Sequence, residues 1–103
     1  MSRFSDILDR LTAVIAARKA LGGAESWTTK LLADPKLAAK KLSEEAMETA
    51  LATSPEETAA ESADLIYHWL VLLAARGVSL DEVAAKLEAR EGVSGIAEKA
   101  GRK

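Results

Sequence analysis

The sequence is interrupted at Ser54-Pro55-Glu56-Glu57, and that break dictates how the rest can fold. Proline has no N–H and its ring clashes with the carbonyl four residues back, so one continuous helix cannot pass through Pro55. The same residues suit a helix start. Ser54 stands at N-cap, Pro55 at the first helical position, and Glu57 falls three residues after the serine in the pattern of a capping box. Apolar residues at helical spacing lie on both sides, over about 35–53 and from Pro55 to about Arg76. Two helices joined by so short a link pack as antiparallel neighbours.

That hairpin carries two matched acidic pairs, Glu45 with Glu48 and Glu61 with Asp64. Residues three apart lie about 60° apart around a helix, so each pair projects from one face. Antiparallel pairing can bring all four carboxylates to one place. Glu45 shares a stripe with Ala38, Leu42, Thr49 and Ala52, and Glu48 borders it; Glu61 and Asp64 share one with Leu65, His68, Val71 and Leu72. Both pairs are therefore expected on core-facing sides. Unpaired buried carboxylates are costly and protonate instead. A divalent cation removes the conflict, and hard oxygen ligands select Mg²⁺ or Mn²⁺ over zinc.

The flanking segments complete an all-α chain. A stripe of Ile7, Leu8, Leu11, Val14 and Ile15 predicts a helix over 5–20, closed near Gly22-Gly23. Ser26–Ala33 is a short apolar patch with a turn or two of helix, and Asp34-Pro35 is the N-cap and first position of the next helix. Gly77 stops the helix begun at Pro55, and Ser79-Leu80-Asp81-Glu82 is a second capping box. The segment 92–103, Gly-rich and ending in basic residues, is expected to be a flexible tail. Residues 1–103 form one domain, a four-helix bundle. Its helix between Ala63 and Ala75 is apolar nearly all round, which calls for a partner, so a homodimer is expected to cover it.

Composition narrows the function classes. A net charge of −2 with interspersed signs leaves no nucleic-acid footprint, and the absence of cysteine rules out disulfides and thiolate metal sites. The apolar run Leu65–Ala75 is well short of the ~20 residues that span a bilayer. Met1-Ser2-Arg3 leads straight into an amphipathic pattern, so no signal peptide is read and a cytoplasmic location is expected. Gly22-Gly23 lacks a following Lys-Ser/Thr, which excludes a P-loop.

Around the acidic pairs, Glu44 is open to three roles: ligand, base or surface residue. Lys40 and Lys41 precede the first pair by a turn and either pair with Glu44 and Glu45 or hold phosphate oxygens, Lys41 having the better phase. Lys30 is a similar candidate. Glu56 and Glu57 complement the helix dipole, and His68 reads as a hydrogen-bonded core residue. Carboxylates, a cation and no protein nucleophile point to water attacking a phosphate ester or anhydride.

These segments resemble a known group. EEAME (Glu44–Glu48) and ESAD (Glu61–Asp64) are similar to the signature of the all-α MazG-like nucleotide pyrophosphohydrolases. SWTTKLL (Ser26–Leu32), KKLSEEAMET (Lys40–Thr49), the Ala63–Val83 segment and the GVSGIAEKAGRK tail bring the likeness nearer to the phosphoribosyl-ATP pyrophosphatase family. The resemblance implies Mg²⁺-dependent hydrolysis of the α–β phosphoanhydride of phosphoribosyl-ATP, the second step of histidine biosynthesis. It places metal ligation on Glu45, Glu48, Glu61 and Asp64 with Glu44 nearby, and it implies a helical homodimer. Ser43 departs from it, standing where relatives usually carry Gly, and so does Asp34-Pro35, which replaces a slightly longer Gly-Pro link. A house-cleaning (d)NTP pyrophosphohydrolase and a non-catalytic dimerisation module are the alternatives.

Overall fold

A computed structural model describes residues 2–22 and 26–92. It contains five helices: α1 (Arg3–Leu21), α2 (Trp27–Ala33), α3 (Pro35–Leu51), α4 (Pro55–Ala75) and α5 (Leu80–Glu88). No strand occurs among the described residues. The short patch at Ser26–Ala33 is thus a helix of its own, and the expected tail beyond Gly92 lies outside the described residues.

Most of the helix ends follow the local chemistry. Ser2, Ser26, Asp34, Ser54 and Ser79 each accept a backbone N–H from three residues on, satisfying a donor that the first helical turn leaves without a partner. Gly22 closes α1 at φ +60°, in the left-handed region where a side chain is strained. At Ser79 the capping box is complete, since Glu82 also accepts the Ser79 N–H at 2.7 Å. At Ser54 only half of the expected box forms. Ser54 Oγ accepts from Glu57 N, but Glu57 Oε1 reaches one residue further, to Thr53 N at 2.9 Å and Thr53 Oγ1 at 3.1 Å. Thr53 offers two donors to one carboxylate oxygen, and its N–H is thereby held outside the helix. Consistent with this, α3 ends at Leu51, two residues before the periodicity suggests, with Ala52 extended.

Helix α4 is the hub. It packs along α3 and also touches α1 and α2. The fully buried side chains Ile15, Leu31 and Val71 come from α1, α2 and α4, with Ala38 of α3 and Leu70 of α4 beside them. Each such large side chain contributes about 1.5–3 kcal/mol relative to exposure. Helix α5 lies apart from the other four and reaches the core through Leu80. Between α1 and the end of α4 lies a groove of about 450 Å³ lined by Ile15, Leu70, Leu73, Val78 and Leu80, with Lys19 at its edge.

Candidate metal centre

The α3–α4 hairpin sets Glu45 opposite Glu61 and Asp64. One carboxylate oxygen from each lies within 4.8 Å of the others. Glu45 is buried at 9 % exposure, Glu61 is half-buried and Asp64 is exposed. The expectation that both pairs face the core is therefore corrected in degree: only Glu45 is taken out of water, and Glu48 is exposed. Glu48 stands outside the set of three, a consequence of its position about 60° around α3 from Glu45. It remains close enough for its charge to act on Glu61.

The electrostatics fit a cation. Glu61 holds its proton more tightly than an ordinary glutamate, first because burial disfavours the charged form, then because Glu48, Glu45 and Asp64 repel it. No hydrogen bond or ion pair reaches the Glu45 carboxylate among the described residues. Three oxygen donors from two packed helices, with mutual repulsion to relieve, suit a hard divalent ion.

Glu44 and Lys41 pair at 2.9 Å, three residues apart instead of the four the sequence pattern allows. The pair raises the Lys41 ammonium above its usual range and lowers the Glu44 carboxyl, chiefly through their hydrogen bond. Glu45 and Glu48 also act on Lys41, which places it at the rim of the cluster. Lys40 and Lys30 are exposed and make no ion pair among the described residues. Ser43, at the position departing from the family pattern, turns its hydroxyl back to Ala39 O at 3.0 Å and so costs α3 nothing in continuity.

His68 is buried, as its place on the α4 stripe predicts. Its Nδ1 donates to Asp64 O at 2.8 Å, and its Nε2 accepts the indole N–H of Trp27 at 3.3 Å. Thr28, the next residue on α2, is hydrogen-bonded to the hydroxyl of Tyr67. The sequence reading passed over Trp27. The signal available was a tryptophan heading a short helix, with a histidine on the acidic stripe to receive its N–H.

An all-helical chain with three carboxylates converging across a helical hairpin is the setting in which comparison with known proteins is read. The chain belongs to the phosphoribosyl-ATP pyrophosphohydrolase family, whose model matches residues 8–91. It is 64% identical over 103 residues to the phosphoribosyl-ATP pyrophosphatase of Caulobacter vibrioides, a match covering 97% of this chain and 96% of that one. The proteins of the same name from Caulobacter sp. (strain K31) and Cereibacter sphaeroides (strain KD131) are 60% and 53% identical, covering 99% and 93% of this chain and 98% and 97% of theirs.

Proposed function

We propose that the chain hydrolyses the α–β phosphoanhydride of phosphoribosyl-ATP to phosphoribosyl-AMP and pyrophosphate, the second step of histidine biosynthesis. The observation that carries this is the convergence of Glu45, Glu61 and Asp64 within 4.8 Å in a chain of this family. These three, with Glu48 alongside, would hold Mg²⁺, or Mn²⁺ in its place. A bound ion of this kind neutralises phosphate charge and lowers the pKa of water.

The other roles fall to residues around the cluster. Lys41, whose ammonium feels Glu45 and Glu48 as well as Glu44, would contact phosphate oxygens. When its ammonium turns from Glu44 to the substrate, the Glu44 carboxylate loses its partner and is free to accept the proton of the attacking water. The active form is a homodimer in the cytoplasm. Two features support association: α5 meets the core of its own chain through Leu80 at its start, and Phe4, Met47, Leu51 and Leu87 are left exposed.

The test is pyrophosphate release from phosphoribosyl-ATP, with and without Mg²⁺, beside a panel of canonical and damaged dNTPs. Mg²⁺-dependent turnover of phosphoribosyl-ATP is expected. Turnover of dNTPs with none of phosphoribosyl-ATP would overturn the assignment.

A further inference from the structure

Trp27 opens α2 with 44% of its surface exposed, and its ring is nevertheless held in a defined orientation. An indole only donates and a backbone carbonyl only accepts, so His68, placed between Trp27 Nε1 and Asp64 O, carries its proton on Nδ1 and offers Nε2 as acceptor. The histidine meets the indole edge-on, with ring planes 68° apart and centroids 6.5 Å apart, so it does not lie flat against the indole face. The start of α2 is fixed on both sides of Trp27. Arg18 donates to Ser26 Oγ at 3.1 Å, Ser26 caps Thr29 N, and Thr28 is bonded to Tyr67.

Two separate contacts set this ring beside the carboxylate cluster. Through His68 it is linked by two successive hydrogen bonds to the backbone of Asp64. The Lys41 ammonium, paired with Glu44, lies over one face of the indole, 5.9 Å from its centroid, which leaves the opposite face for a stacked base. A planar, half-exposed aromatic surface thus borders the place where phosphates would be held, and its N–H is spent on orientation. We infer that Trp27 is the platform on which the purine base of the substrate stacks, and that His68 is the positioning residue that sets its angle. Stacking of a base on an aromatic ring is favourable and tolerant of base identity, so Trp27 contributes affinity for the nucleotide end of the substrate while the carboxylates act on its phosphates.

This rests on the pyrophosphohydrolase reading, and the measurements separate the two. If the parent protein released no pyrophosphate from phosphoribosyl-ATP, the activity would be overturned whatever Trp27 does. The platform is tested by calorimetry with AMP and ribose 5-phosphate as probes. Trp27→Leu is expected to weaken AMP about 10- to 100-fold, the range for losing one stacked base, with Trp27→Phe retaining most of the affinity. Ribose 5-phosphate binding should not change, and KM should rise with kcat within about threefold. No measurable AMP binding by the parent, an unchanged AMP affinity in Trp27→Leu, or an equal loss for ribose 5-phosphate would each overturn the proposal.

For His68, Trp69→Phe leaves Trp27 as the sole indole, and AMP should quench its emission. His68→Leu should abolish the quench, and His68→Gln, whose amide oxygen can accept the indole N–H, should restore it. A quench that survives His68→Leu would remove His68 from this role.

Discussion

Glu45 makes no hydrogen bond or ion pair through its carboxylate among the described residues, and it is buried at 9 % exposure with two further acids across from it. Substituting Glu45→Gln or Asp64→Asn should lower pyrophosphate release by about 10²–10³-fold, the usual loss when a preorganised electrostatic contact to the reacting phosphate goes. Circular dichroism should remain helical. Parent protein at Mg²⁺ a hundredfold above its Kd should gain about 2.7 kcal/mol of stability, a gain that thermal melting should show to be absent in Glu45→Gln. Lys41→Ala should raise KM with a smaller effect on kcat, since its role is to hold phosphate oxygens; an unchanged KM would leave it only its pair with Glu44. Glu45 was legible in the sequence because its phase matches Ala38, Leu42 and Thr49, and the last of these even returns its hydroxyl to Glu45 O at 2.8 Å. The exposure of Glu48 was not, because a residue at the edge of a stripe is buried or exposed according to how the neighbouring helix is rotated.

At the scale of the helix, the α3–α4 link is held by Glu57 instead of a closed capping box. Its carboxyl is held below the usual range, first by the Thr53 backbone N–H and then by the Thr53 hydroxyl. A carboxylate with a lowered folded-state pKa stabilises the fold above its unfolded value, and that contribution is lost as the pH falls through the folded value. Glu57→Ala should therefore lower the Tm at neutral pH, and the difference from the parent should close in acid, below the ordinary glutamate range of about 4.3. Leu31, fully buried, ties the short α2 to the core. Leu31→Ala should cost about 2–5 kcal/mol in denaturant unfolding, and it should disturb the seat of Trp27 as well. Helix existence was legible for α1, α3, α4 and α5 because caps and 3.6-residue periodicity are local, while α2 was legible only as a turn or two and makes five helices where a four-helix bundle was expected. Two details were not. The early end of α3 and the diverted Glu57 contact depend on which of several nearby donors the carboxylate reaches, and spacing does not decide that.

For the whole molecule, a single chain leaves surface that a soluble bundle ordinarily covers. Helix α5 is amphipathic yet meets the core of its chain through Leu80 at its start, Leu87 is 63% exposed, and an apolar groove lies open between α1 and α4. Sedimentation should give twice the 10.9 kDa of one chain, and the melting temperature should fall on dilution, as it does for an obligate dimer. A monomeric mass at micromolar concentration would reject this. By itself the sequence determined the helical class, the break at Ser54-Pro55, the two acidic pairs and the kind of chemistry they suit. Each of these is written in interactions between residues three or four apart. Only the tertiary structure decided which three carboxylates meet and that Trp27 stands beside them through His68. Those contacts join residues as many as 41 positions apart, and their distances follow from how α2, α3 and α4 are rotated and offset against one another. No local pattern encodes that arrangement; it emerges from the packing of Leu31, Ala38, Leu70 and Val71 between the helices.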